Sequence, residues 1–324
     1  MTAAPELVAA AELFGLGQII ESPARVKQAY SNEVWNVRAT SGEFAVKLFP
    51  AALSNARRQQ LLSGIGFERL VLEQGLVPMP RPVAGVGSWL VELPTQSGPR
   101  LARCHEWVHG EPVLRPTALQ VISTAGRYLG VLHAMKRPGG DTSQIPPTDR
   151  QRWYDAVFHA RLAGMGWAAQ LAALTPLLEE LATDLDDLRA QRRPMQISHR
   201  DYDPKNAIIN TREQLVLTDW DYAGPVLPGV ELIVAATSFA ETDDHVAAFV
   251  QAYRGAGATI EYADSLAMTA ELADLDWLLR NVEASIHGDA DAFSTAQSLI
   301  TELPGEIATL RAWPKRLREL PMVQ

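Results

Sequence analysis

Apolar and polar positions follow a short period through the first hundred residues and a longer one afterwards. Alternating apolar positions run through Gln18 to Tyr30 and Glu33 to Ala39, and Thr40-Ser41-Gly42-Glu43 has turn chemistry. A strand resumes in Phe44-Ala45-Val46-Lys47-Leu48-Phe49. A small antiparallel sheet is predicted, preceded by a short helix over Pro5 to Leu16. Residues 54–74 then place Leu61, Leu62, Ile65, Leu70 and Leu72 at helical spacing, and Pro78, Pro80 and Pro82 stop that helix. Trp89 to Leu93 and Leu101 to Val108 flank the turn Thr95 to Arg100 as a second hairpin, and Gly110-Glu111-Pro112 follows.

From Thr117 the period is helical, with Leu119, Ile122, Leu129 and Leu132 on one face. A loop rich in Pro, Gly and Asp over 137–149 leads to helices through about residue 190. The short runs Ala207-Ile208-Ile209 and Leu215-Val216-Leu217 predict a hairpin, and from Val230 onward the pattern is helical again. No internal repeat or low-complexity tract interrupts this order. The expectation is an α+β chain of two lobes: a sheet-rich lobe over 1–103, a hinge at 104–110 and a helical lobe over 111–324, with the binding cleft at the joint.

Composition narrows the partners. With 324 residues, 47% hydrophobic and 21% charged, the chain has material for a substantial core. No apolar run reaches the ~18 residues of a membrane helix, and Met1 to Glu12 carries two acids and no base, so a cytoplasmic protein without a membrane partner is expected. The single Cys104 excludes an internal disulfide and a thiolate-rich zinc site, and reads as a small buried hydrophobe. A net charge of -9 argues against nucleic acid as a partner, since that binding needs a basic face. The charge is unevenly spread: residues 1–103 hold ten Lys/Arg and eight Asp/Glu, and the remainder nineteen and thirty.

The segment richest in chemistry is Ser198-His199-Arg200-Asp201-Tyr202-Asp203-Pro204-Lys205-Asn206, followed by Thr218-Asp219-Trp220-Asp221. Taken alone, it also reads as a polar turn in which aspartates stabilise local backbone. Its His-Arg-Asp, four residues, then Asn resembles a kinase catalytic loop. With Asp219-Trp220-Asp221 it is more similar to the aminoglycoside phosphotransferases and choline kinases, which commonly read His-Gly-Asp-x-x-x-x-Asn and then Ile-Asp-Trp/Phe-Glu/Asp. The order of elements matches along the whole chain, which implies a protein-kinase-like two-lobed fold.

The resemblance assigns roles residue by residue. Asp201 would be the catalytic base, and Asn206 and Asp219 would hold Mg2+ through hard oxygen ligands. Lys47, which by itself reads as a solvated strand-edge charge, would contact the phosphates of ATP or GTP and be held by Glu68, with Glu73 the alternative partner. Ser31 and Asn32, in a turn without glycine, would donate to phosphate or else form an ordinary hairpin turn. Cys104, Glu106 and Trp107 lie in the hinge, whose backbone would meet the purine. His133 matches a helix-end histidine and is read as structural, while His105 and His109 lack zinc-like spacing. Trp107, Trp153, Trp167 and Trp277 are read as core before pocket. Two positions depart from the family: Arg200 stands where Gly is usual, and Glu231 where an Asp braces the catalytic loop. A protein kinase would also carry an Ala-Pro-Glu-like segment, which is missing.

The implied function is transfer of a γ-phosphoryl group to a hydroxyl of a small molecule, expected to be an antibiotic, giving resistance. The alternatives are a metabolic kinase for choline, homoserine or a similar alcohol, and a pseudokinase. A pseudokinase would ordinarily lack one of Lys47, Asp201, Asn206 or Asp219, and all four are present. Glu271, Asp274, Asp276 and Glu283 near Trp277, with Asp203, suggest a cationic acceptor; the competing reading of that helix is a solvated charged face.

Overall fold

The computed structural model describes residues 4–26, 32–51, 53–95, 98–115, 117–260 and 267–319. The chain forms two compact units, Met1–Thr117 with His199–Gly224, and Ala118–Ser198 with Pro225–Gln324. The first unit runs to Thr117, and the segment from His199 to Gly224 belongs to it as well.

The first unit begins with helix α1 (Pro5–Leu13), strands β1 (Ala24–Arg25), β2 (Glu33–Ala39) and β3 (Gly42–Leu48), helix α2 (Asn55–Gln74), and strands β4 (Val91–Leu93), β5 (Arg100–Glu106) and β6 (Gly110–Pro112). Among the described residues, the strand expected over Gln18 to Tyr30 appears as β1 and an isolated bridge between Ile19 and Ala39. Pro23 interrupts the run between them. The five-stranded sheet has the order β1-β2-β3-β5-β4. Alternation places Val37, Val46, Leu48 and Cys104 on the face covered by Leu7 and Ala10 of α1 and by Phe14 just after it. Glu43, Lys47 and Arg103, one residue out of phase, take the opposite face.

The Ser54 hydroxyl caps α2 by accepting from the Arg57 N–H, and Gly75 ends it at φ 59°. Gly64 lets α2 approach the turn at 220–222 closely, because a Cβ there would stand 3.1 Å from the Trp220 carbonyl oxygen. The Arg57 guanidinium reinforces the contact, donating to the Asp221 carbonyl at 3.3 Å and lying 3.9 Å from the centre of the Tyr222 ring.

The second unit contains α3 (Leu119–Ala134), β7 (Pro138–Asp141), α4 (Arg150–Leu162), α5 (Ala168–Ala173), α6 (Thr175–Gln191) and β8 (Pro194–Ser198). The chain re-enters the first unit as the predicted hairpin, β9 (Ala207–Asn210) and β10 (Leu215–Leu217), to which β6 adds a third strand. It then completes the second unit with β11 (Gly224–Val226), α7 (Pro228–Phe239), α8 (Asp243–Gly255), α9 (Ala267–Ile286) and α10 (Ala290–Glu319). Strands β7, β8 and β11 are too short and too poor in alternating apolar residues to be read from sequence, and β7 lies inside the expected loop 137–149. Trp153 and Trp167 are buried in the core of this unit with Leu278 and Leu303, as expected, whereas Trp277 is half-buried. Among the described residues, no helix is long and apolar enough to cross a membrane.

Candidate active site

The loop from His199 to Asn206 is tied to the end of β10. The buried His199 ring meets the Thr218 carbonyl oxygen through Nε2 at 3.0 Å and packs edge-on against Trp220, with centroids 4.6 Å apart. The Thr218 N–H donates to the Asn206 carbonyl at 2.8 Å, and the Asn206 N–H to the Asp203 carbonyl at 2.9 Å. The Asn206 side-chain Nδ2 donates to the Asp201 carbonyl at 2.9 Å. These bonds place Asp201, Asn206 and Asp219 around one short hairpin. Arg200 adopts φ 63°, which explains physically why glycine is usual at this position in the proteins the loop resembles. Asp219 is also left-handed, at φ 57°.

Lys47 enters the same site from β3. Its Nζ donates to Asp219 Oδ1 at 2.7 Å and to Asp221 Oδ2 at 2.6 Å, with the lysine side chain only 13% exposed. Burial works against its charge, and the Asp219 and Asp221 carboxylates overcome it, so its pKa is raised. Asp221, 2% exposed, is held between Lys47 and Arg103. Desolvation opposes its ionisation, but the two cations hold it far below the usual carboxylate range.

The expected partnership of Lys47 with Glu68 is corrected by this geometry. Glu68 is fully buried and bonds Arg103, and its other oxygen lies 2.9 Å from His105 Nε2. Burial pushes the Glu68 pKa up, and Arg103 and His105 more than offset it. Arg103 links the acids, since its guanidinium meets Glu68 on one side and Asp221 on the other. The sequence reading missed Arg103 because a lone arginine in a β-strand looks like an edge charge; its position one residue out of phase with Ala102 and Cys104 was the available signal. Glu73 is exposed.

The other predicted nucleotide residues are less uniform. Ser31 lies outside the described residues, and Asn32 is half-buried in a bend before β2. Cys104 faces the α1 side of the sheet, and burial pushes its thiol up to about 12, so its side chain belongs to the core. The Glu106 N–H donates to the Arg81 carbonyl and the Trp107 N–H to the Glu43 carbonyl, both at 2.9 Å, so neither amide is available to a purine. On the Lys47 face of the sheet, a cavity of about 520 Å³ is lined in part by Ala24, Asn36, Glu43, Trp107 and His109.

The donor set fits a hard cation. The Asn206 amide nitrogen is committed to Asp201, so the side chain's carbonyl oxygen is the atom it would present to a cation, and Asp219 would add a carboxylate. Among the described residues no group of three or more His, Cys, Asp or Glu is placed to hold a metal. Two protein oxygens suit Mg2+, which keeps waters and substrate phosphates as its other ligands.

The second unit contains the acids expected to meet a cationic acceptor. Asp276 and Glu283 share Arg152 of α4: its Nε reaches Glu283 at 2.6 Å, one terminal nitrogen reaches Glu283 at 2.8 Å and the other Asp276 at 2.8 Å. The face that reads as an amine site in sequence is thus closed by an internal guanidinium. The side chains of Glu271 and Asp274 lie outside the described residues. His133 is structural, as expected: Nε2 meets Glu231 at 2.7 Å and Nδ1 meets the Tyr253 hydroxyl at 2.8 Å, all buried.

Residues 24–266 match the model of the phosphotransferase enzyme family. The fold is similar to that of a microcompartment-associated aminopropanol kinase at 17% identity, covering 95% of this chain and 97% of the other with a TM-score of 0.66. It is also similar to the amicoumacin kinase hAmiN solved with AMP-PNP, Ca2+ and Ami, at 16% identity, 94% coverage of each chain and a TM-score of 0.63. The choline kinase LicA from Streptococcus pneumoniae shares 15% identity over 93% of this chain and 99% of the other, with a TM-score of 0.57. Among curated proteins none matches this chain in sequence. The family match spans three quarters of the chain and includes Lys47, Asp201, Asn206 and Asp219, so the chain belongs to the phosphotransferase enzyme family.

Proposed function

We propose that this enzyme transfers the γ-phosphoryl group of a nucleoside triphosphate to a hydroxyl of an amine-bearing small molecule. The observation that carries the reading is the convergence of Lys47, Asp219 and Asp201 with Asn206 around one hairpin, with Lys47 already 2.7 Å from Asp219. Asp201 takes the proton of the acceptor hydroxyl. Lys47 changes partners from carboxylate to phosphate, and Asp219 and Asn206 would hold Mg2+, which would supply charge neutralisation to the phosphates. The cavity beside Trp107 and Asn36 takes the base of ATP or GTP.

The acceptor class is supported by the similar folds, whose members include kinases for aminopropanol, choline and amicoumacin. An antibiotic acceptor, with resistance as the outcome, and an amino alcohol of metabolism both belong to this class. The Asp276–Glu283 pair is not the amine subsite of this reading, because Arg152 occupies it. Asp203, whose carboxylate accepts from the Lys205 N–H at 2.9 Å, shapes the loop beside Asp201 and is the remaining acidic candidate.

The test is phosphorylation of a panel of amino alcohols, aminoglycosides and peptide antibiotics by labelled triphosphate with Mg2+. Transfer to an amine-bearing alcohol, abolished by Asp201→Asn, is expected. Turnover confined to neutral or anionic alcohols would remove the acceptor class, and Mg2+-independent transfer would remove the metal roles.

A further inference from the structure

The Lys205 side chain has no part in the reading so far, yet it is paired with the base. Its Nζ stands 3.0 Å from Asp201 Oδ1. Its own N–H donates to Asp203 Oδ1 at 2.9 Å, which fixes the start of the side chain in the single turn Pro204–Asn206. It is a cation beside the base.

This arrangement differs from that of the neighbouring cations. Arg103 is buried between Glu68 and Asp221, and Lys47 is nearly buried on Asp219 and Asp221. Lys205 is exposed and makes one ion pair among the described residues, so its side chain moves at little cost in stability. A carboxylate oxygen that accepts from an ammonium is poorly disposed to take a proton from a hydroxyl. A base paired with a mobile cation therefore works best if the cation leaves when a stronger anion arrives. In phosphoryl transfer that anion is the transferring group, whose equatorial oxygens carry the charge.

We propose that Lys205 is a catalytic residue which moves from Asp201 to the equatorial oxygens of the transferring phosphoryl group, releasing Asp201 to act as base. In the step, the acceptor O–H bond breaks and its proton goes to the Asp201 carboxylate. The acceptor oxygen bonds to the γ-phosphorus while the bond from that phosphorus to the β–γ bridging oxygen breaks, and its electron pair leaves with the nucleoside diphosphate. Lys205 keeps its protons throughout and supplies charge alone. The proposal rests on the phosphotransferase reading and adds a residue to it.

The experiment compares binding of MgADP with binding of MgADP plus aluminium fluoride, a mimic of the planar phosphoryl group, by calorimetry, with water as acceptor. Slow hydrolysis of MgATP is followed in parallel. Lys205→Ala is expected to bind MgADP within about twofold of the parent, to lose most of the gain from aluminium fluoride, and to lower hydrolysis about 100-fold with little change in KM. Lys205→Arg, which keeps the charge, is expected to recover part of both losses. Equal aluminium fluoride enhancement in parent and Lys205→Ala would overturn the proposal, as would loss of MgADP affinity equal to the loss with the mimic. A folded parent that binds neither MgADP nor MgATP overturns the phosphotransferase reading itself, and is recognised before any variant is compared.

Discussion

The two units each contain a pair of acids closed by an arginine, and the pairs differ in depth. Asp221 and Glu68 are buried around Arg103, and Asp219 and Asp221 share the nearly buried Lys47. Asp276 and Glu283 share Arg152 at the surface, each at least 41% exposed. In the buried set, losing one member leaves its partners charged in a place water cannot reach. At the surface, water and salt take the partner's place. Similar ion-pair geometry therefore has different consequences, and depth decides which set acts as a rigid platform for chemistry.

The largest expected effect comes from breaking the buried set. Asp221→Ala leaves Lys47 only Asp219 and Arg103 only Glu68, and Arg103→Met leaves Glu68 only His105 and Asp221 only Lys47; each is expected to cost about 3–5 kcal/mol of stability in denaturant unfolding. Asp219→Ala removes the more exposed acid and is expected to leave the unfolding midpoint nearly unchanged while abolishing Mg2+-dependent nucleotide binding. If Asp219→Ala proves as destabilising as Asp221→Ala, the division of the pair into a structural and a ligand-binding acid is wrong.

The next effect lies in catalysis. Asp201→Asn is expected to keep fold and nucleotide affinity and to lower turnover about 100-fold or more, the usual scale of a general base. Turnover within twofold of the parent would remove Asp201 from that role.

Acid sensitivity sharpens the comparison. The folded-state pKa of Glu68 lies below its ordinary 4.5, so the stability it contributes is complete above about pH 4.5 and is lost as pH falls through the lower folded value. Glu68→Gln should flatten the acid limb of the stability curve, and an unaltered limb would show that other carboxylates set it. The smallest effect belongs to the surface pair: Arg152→Ala is expected to cost less than about 1 kcal/mol, with the difference shrinking as salt is added. A salt-independent loss well above that figure would erase the contrast between the two sets.

Much of this was legible in the chain. The hairpin carrying Asn206 and Asp219 followed from two short apolar runs around a polar turn, and α2 from the spacing of Leu61 and Ile65, because both are local patterns with one dominant period. The spacing from Asp201 to Asn206 and on to Asp219 survives as geometry because few residues separate the three. His133 was rightly kept out of the chemistry, although its partners Glu231 and Tyr253, about a hundred residues on, are not visible from its own helix.

By itself, then, the sequence determined the order of the longer elements, the presence of Lys47, Asp201, Asn206 and Asp219, and a carboxylate at Glu68 on α2. Only the tertiary structure decided who pairs with whom. Period-two alternation puts Lys47 and Arg103 on the same face of neighbouring strands, and either cation could meet Glu68. The packing of α2 gives Glu68 to Arg103 and leaves Lys47 to Asp219 and Asp221. Similarly, acids on α9 carry no sign in sequence of the Arg152 that α4 brings to them. Charge pairing acts over a few ångströms between residues far apart in the chain, so it is settled by packing and burial and leaves no period behind.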